Sequence, residues 1–569
     1  MIDAIGPFFR GFTQRRINWS KIPFAALATE GEERVRQWQQ IGEDMRHFAR
    51  QVRDLGYNTV TLDDLAHLVP HEGHEPEVAR LIAVYREEFA RLFAILHDEM
   101  GLKIWVTSDV LPMTSALERY LGTDRAVLED YYCDLVRRLF EDFPMLSGLV
   151  MRIGESDGTD VTDPLLTRLH VRTALELNRL IKRLLPEFEQ GDRQLVLRTW
   201  TVGAHRIGDL IWHRHRLALA LEGIESEHFI VSMKHGESDF FRYLPLNRAF
   251  FRVKQRKLIE LQARREYEGA GEFPSFIGWD CERFARDLAG VEGLVGMSVW
   301  CQTGGWHRFR RLAFLEPDGR DVWIRLNVVA AIRVFGNGLT ATAAVEEVVG
   351  EPHAAAALLL LHNSEEVLHE LYYIEDYARQ KLFFRRVRLP PLLHVYWDSI
   401  FVNQAVGNVL RHFVRDPEGA LRAGESALRL FPQMREWARR ANLPVDDIAH
   451  MQDVFGLIAL ARRYYFMSDQ EQCLQDLIEA KKAYKRRWPD EQRQRYRIKV
   501  SRQPFKVKRR LMAWAAALLL RKKRGYRLVD HMFTLHALGF AYRAFRQRDP
   551  EAMPDFLRNS AMGVDVLFK

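Results

Sequence analysis

The chain has 569 residues, 47% hydrophobic and 11% aromatic, which is material for about two to four domains or one large barrel with a domain appended. Its four cysteines (Cys133, Cys281, Cys301, Cys473) are scattered with no CxxC or Cys/His spacing, which excludes a disulfide framework and a zinc site and fits a reducing compartment. The net charge of +7 comes without a zinc finger, RNP motif or GxxG loop, so no nucleic-acid partner is expected, and no metal or cofactor either.

The opening "MIDAIGPFFRGFTQRRINW" lacks the charged, apolar and small-residue regions of a secretory signal, so a cytoplasmic protein is expected. Strands are predicted at "PFFRGFT" (7–13), "NTVTLDDL" (58–65), "KIWVTSDV" (103–110), "GLVMRIGE" (148–155), "LVLRTWTV" (195–202), "FIVSMKHG" (229–236), "KLIELQA" (257–263) and "GMSVWCQT" (296–303). Amphipathic helices are predicted between them over 34–54, 77–99, 124–143 and 165–185, and again at "WDCERFARDLAG". Eight strand–helix repeats, with no GxGxxG after the first strand, predict an α/β fold, a (β/α)8 TIM barrel over 1–335.

From about residue 340 strand signals stop, and "HNSEEVLHELYYIEDYARQKLFF" and "MQDVFGLIALARRYYF" read as helices. An all-α C-terminal domain is expected over 336–569. The basic excess concentrates in 481–524, around "LMAWAAALLL" (511–520). That run is shorter than the ~20 residues needed to span a bilayer and reads as a buried helix with snorkelling basic ends.

Catalytic side chains of such a barrel gather where the strands end. Strand 4 ends at Glu155, strand 5 carries Arg198, and strand 6 delivers Lys234, His235, Glu237 and Asp239. Strand 7 carries Glu260, followed by Glu266 and Glu268. Strand 8 ends in "CQTGGWH", where Trp300 and Trp306 offer stacking faces, and strand 2 contributes Asp63 and Asp64. Paired carboxyls with aromatic platforms suit glycoside hydrolysis, in which one protonates the leaving oxygen while another attacks or activates water. A structural salt bridge or solvated loop is the expected reading for Glu237 and Glu268.

"LSGLVMRIGESDG", "HFIVSMKHGESDFFRYLP" and "KLIELQARREYEGAGEFPSF", in that order, resemble the family 67 α-glucuronidases. "LGYNTVTLDDLAHL", "GLKIWVTSDVLP", "LVLRTWTVG" and "RLNVVAAIRVFGNGLTATAAVEEVV" extend the resemblance over roughly residues 1–350. It implies an inverting hydrolase that removes a uronic acid such as α-glucuronate from an oligosaccharide, with Glu155 as general acid and Asp239 with Glu266 activating water. It further implies Arg198 holding the uronate carboxylate, Arg152 in a similar role one residue out of register, Lys234 beside the sugar, and Glu260 as a substrate ligand or reserve base. A homodimer through the helical domain is implied too. The chain departs from the family in lacking its N-terminal β-sandwich, and in having "ESDGTDV" where the family has "EGQPGP".

Three alternatives stay open. One is a glycosidase of the same barrel acting on another acidic or neutral sugar, and one is a non-catalytic polysaccharide-binding scaffold. The third is a metal-dependent amidohydrolase using His213 and His215 of "WHRHR", although that pair follows strand 5 in an arginine-rich stretch rather than lying on the first strand.

Overall fold

The computed structural model describes residues 1–153, 164–167, 169–201, 206–384, 387–501 and 520. Eight parallel strands close into a barrel: β1 (Ile2–Asp3), β2 (Thr59–Leu62), β3 (Lys103–Val110), β4 (Leu146–Ile153), β5 (Gln194–Arg198), β6 (Phe229–Lys234), β7 (Arg256–Gln262) and β8 (Leu294–Trp300). Each pairs with its sequence neighbours, and β1 closes the ring by pairing Ile2 with both Val60 and Val299.

The side chains alternate along each strand. Ile104, Val106, Leu149, Met151, Leu195, Leu197, Val231, Met233, Ile259 and Leu261 face outward into the core shared with the surrounding helices. The intervening residues face the lumen, where Trp105, Val150, Val196, Ile230 and Leu258 form a separate apolar plug. Two residues further along the same strands the inward file turns polar: Thr107, Arg152, Arg198, Ser232 and Glu260. This parity places chemistry above a sealed floor, at the C-terminal mouth.

Helices α1 (Gly31–Asp54), α2 (Pro76–Ala94), α3 (Arg125–Asp142), α4 (Ala174–Gln190) and α5 (Arg214–Ala220) follow β1 to β5, and α6 (Gly278–Asp287) and α7 (Val322–Ala331) follow β7 and β8, while β6 is followed by a 3-10 turn over Arg248–Phe251. α4 starts nine residues later than the helix expected from 165, because Thr173 and Glu176 form a capping box there. Just before it, Leu166–Thr167 pairs antiparallel with Pro112–Met113.

The first strand is not "PFFRGFT". Gly6–Phe9 forms a buried 3-10 turn started by Pro7, and Phe8 packs edge-on against Trp38 and stacks on Phe89. The true β1 is two residues long, too short to show a period.

The C-terminal region is helical, as expected, with α8 (Ala341–Val349), α9 (Glu351–Val367), α10 (Gln404–Phe413), α11 (Pro417–Leu428), α12 (Phe431–Arg440), α13 (Val445–Phe466) and α14 (Gln470–Arg487) around a second core. It also holds a small sheet the sequence reading lacks: β9 (Val395–Tyr396) and β10 (Ser399–Asn403) make a hairpin, and β11 (Arg497–Ser501) adds in parallel to β10. Buried charges tie this region to the barrel side. Arg311 donates to both Asp447 oxygens at 2.6 and 2.7 Å, Trp323 Nε1 donates to Asp447 at 2.7 Å, and Arg493 bridges Glu272 and Asp447.

Among the described residues no helix is long and apolar enough to cross a membrane. "LMAWAAALLL" lies outside the described residues apart from Leu520.

Candidate active site

The lumen mouth carries three polar clusters. On the β2–β4 side, Arg152 donates from Nε to Asp109 at 2.8 Å, from Nη1 to the Ser20 carbonyl at 3.2 Å and from Nη2 to Asp64 at 3.3 Å. Lys21 closes on the other Asp109 oxygen at 2.6 Å, and Asp63 accepts from Thr107 and from the Ile22 amide. Burial pushes the Asp109 carboxyl up, but Arg152 and Lys21 outweigh it and hold the group at about 2. Burial raises Asp64 instead, against the pull of Lys21.

On β5–β8, Glu260 is fully buried and saturated. It accepts from Arg198 Nε at 2.9 Å, Ser232 Oγ at 2.8 Å and Trp300 Nε1 at 3.1 Å. The Arg198 guanidinium lies over the Trp300 ring, 4.6 Å from its centre.

The third cluster sits where β6 and β7 run out. Lys234, from the end of β6, pairs with Asp239, and its ammonium lies 3.7 Å over the Trp200 ring. The Tyr267 hydroxyl donates to the other Asp239 oxygen at 2.7 Å, and the Phe240 amide donates to Asp239 at 2.9 Å. Burial opposes ionisation of Asp239, but Lys234 and Tyr267 outweigh it, leaving the group below the ordinary carboxylate value.

Gln262, the last residue of β7, grips Glu266 twice. Its Nε2 donates to the carboxyl at 2.9 Å and its Oε1 accepts from the Glu266 amide at 2.8 Å. Burial first, and then the charge of Asp239, push Glu266 up to about 8. One carboxyl is thus charged and the other protonated at neutral pH, which is how a site separates a base or nucleophile from an acid.

Asp239, Glu266 and Lys234 come together as one cluster; Arg198, Glu260 and Trp300 form an adjoining one, and Arg152 sits on the β2–β4 side. Trp306 pairs with Asn18 beside the mouth, and its indole N–H is buried without a hydrogen-bond partner. Glu155 lies outside the described residues. Glu268 is a structural carboxylate, bound by Arg242 at 2.9 Å, Arg265 at 2.7 Å and Tyr373 at 2.8 Å, and Glu237 pairs with Lys381 at 3.1 Å. His213 and His215 stand with ring centres 5.9 Å apart, and among the described residues no group of three metal-binding side chains is arranged to hold an ion.

Sequence reasoning missed several participants. Asp109 was visible in principle, since it ends the lumen-facing file Trp105–Thr107–Asp109 of β3. Tyr267 follows Glu266 directly. Tyr396 and Trp397 come from the β9–β10 turn, and no local signal announces them.

No family model and no curated protein matches the chain. Solved structures similar to it include a GH138 enzyme targeting pectin rhamnogalacturonan II, at 11% identity over 84% of this chain and 61% of that one, TM-score 0.49. A family 89 glycoside hydrolase from Clostridium perfringens in complex with PUGNAc is similar at 9% identity over 82% of this chain and 53% of that one, TM-score 0.38. An O-GlcNAc hydrolase mutant from Thermobaculum terrenum is similar at 10% identity over 78% and 85%, TM-score 0.35. The chain therefore spans less than two thirds of the first two. Its barrel is established by strand pairing, independently of these likenesses.

Proposed function

We propose that the protein is a glycoside hydrolase whose proton donor is Glu266 and whose ionised partner is Asp239. The observation that carries this reading is two buried carboxyls at one barrel mouth in opposite surroundings, Asp239 held by Lys234 and Tyr267 and so kept below its ordinary value, Glu266 held by the neutral Gln262 and pushed up by burial and by Asp239. Glu266 gives its proton to the glycosidic oxygen as the bond to the anomeric carbon breaks. Asp239, steadied by Lys234 and Tyr267, either attacks that carbon or takes a proton from the attacking water. This differs from the family 67 arrangement, in which Glu155 is the acid and Asp239 with Glu266 activates water.

The sugar at the pair we take to be neutral rather than a uronate. A uronate needs a cation to spare, yet Lys21, Arg152, Arg198 and Lys234 each contact a carboxylate of the protein. Among the described lumen groups these four cations face Asp63, Asp64, Asp109, Asp239 and Glu260.

Both points are tested by following cleavage of a panel of neutral and uronate-capped oligosaccharides by NMR, which also reports anomeric outcome. Glu266→Gln is expected to suppress cleavage of poor leaving groups while substrate still binds, and Asp239→Asn to suppress all turnover. Suppression by Glu155→Gln with Glu266→Gln left active would restore the family 67 roles. Cleavage confined to uronate-capped members would overturn the neutral assignment, and no cleavage anywhere would overturn the hydrolase.

A further inference from the structure

We infer that the Tyr396–Trp397 turn of the C-terminal region is a substrate-contacting wall of this site, so that barrel and helical region together make the pocket. The inference rests on the hydrolase reading for its kinetics, though not for its binding arm.

Trp397 occupies the turn between β9 and β10 with φ of 51°, the left-handed region that turns normally fill with glycine or asparagine. A bulky aromatic residue held there serves something other than the turn. The hairpin is anchored away from the mouth, since β10 pairs along its whole length with β11 and the Asp398 carbonyl accepts from the Arg497 amide at 2.7 Å.

The barrel is cut away to receive the ring. In "TGGWH" after β8, a Cβ on Gly305 would collide with the Trp397 indole, and one on Gly304 would stand 3.1 Å from Glu266 Oε2. The two glycines let the indole and the carboxyl approach one another. The indole N–H lies beside Glu266, near enough to lower its proton affinity, yet makes no hydrogen bond of normal geometry and has no other partner.

The ring also connects to the second carboxyl. Tyr396 packs at 4.3 Å from Trp397 and 5.4 Å from Tyr267, whose hydroxyl holds Asp239. Both rings are half-buried, so an aromatic surface runs past both reacting groups, which is the surface a sugar ring packs its C–H face against. A clamp that merely joins two domains needs none of this, and that work is already done by Arg311, Asp447 and Arg493.

The test compares wild type, Trp397→Phe and Trp397→Ala, with thermal melting as the folding control. Trp397→Phe keeps the face and loses the N–H, so it is expected to melt like wild type, to move the basic limb of the pH profile upward, and to raise KM more than it lowers kcat. Trp397→Ala is expected to lose about tenfold in kcat/KM on oligosaccharides. Wild-type kinetics in both variants overturn the inference, as does a loss in Trp397→Ala that tracks a lowered Tm while Trp397→Phe is unchanged. If wild type cleaves nothing, binding of the same oligosaccharides by NMR titration decides. Binding lost in Trp397→Ala sustains the wall although the hydrolase reading has failed, and equal or absent binding in both overturns it.

Discussion

Glu266 keeps its proton up to about pH 8 because it is buried and because Asp239, held charged by Lys234, stands near it. Turnover should therefore fall as pH rises through about 8, with the limb belonging to the donor. Glu266→Gln should remove that limb together with roughly 10²–10⁴-fold of the rate on substrates that need protonation. Asp239→Asn, by deleting the charge that raises Glu266, should shift the proton affinity of Glu266 downward, measurable by NMR titration of the carboxyl even though turnover is lost. A limb that survives Glu266→Gln would assign the proton to another group.

The same group makes stability depend on pH. Its folded value of about 8 stands above the ordinary 4.5, so the folded chain binds this proton more tightly than the unfolded one. The contribution is complete below 4.5 and is lost as pH rises through about 8. Melting of wild type and Glu266→Gln from about pH 5 to about pH 9 should show wild type losing Tm relative to the variant across that window. Parallel curves would mean that Glu266 is ionised throughout.

Seven of the eight barrel strands were legible because strands buried on both sides read as short apolar runs ending in polar residues, as "KIWVTSDV" and "FIVSMK" do. β1 was not, because Ile2 and Asp3 show no alternation and their pairing to Val60 and Val299 is long-range. Strand ends pointed to Arg198, Lys234, Asp239, Glu260 and Glu266, and the family resemblance added Arg152. Their partners were hidden: nothing near Arg152 reveals that Asp109 and Asp64 occupy its guanidinium, since those contacts cross strands. Trp397 was hidden more deeply, since its position depends on β10 and β11 meeting from distant parts of the chain.

Arg152 is a structural cation in this geometry, and its removal should show as lost folding stability. Arg152→Leu leaves Asp109 buried with Lys21 as its charged partner and should cost about 3–5 kcal/mol in denaturant unfolding. Adding Asp109→Leu should recover part of that loss. In wild type, the stabilisation from Asp109 is present above the ordinary 3.8 and disappears as pH falls through about 2. An Arg152→Leu protein as stable as wild type would free the arginine for a ligand and reopen the uronate reading.

Gly305 and Trp397 should be energetically coupled, because the space for the indole is the hydrogen in place of a side chain at 305. Gly305→Ala puts a methyl where the ring lies, and overpacking of this kind costs about 1–3 kcal/mol when neighbours cannot yield. Trp397 yields little, since its turn is fixed by the β10–β11 pairing. In the Trp397→Ala background the methyl finds vacated space, so the second substitution should cost much less, and a double-mutant cycle should report a coupling of about 0.5–3 kcal/mol. The kinetics add an independent reading. If the methyl displaces the indole from Glu266, Gly305→Ala alone should reproduce the rise in the basic limb expected of Trp397→Phe, and it should add no further shift once Trp397 is gone. Additive costs together with an unmoved limb would place the indole away from Glu266 in solution.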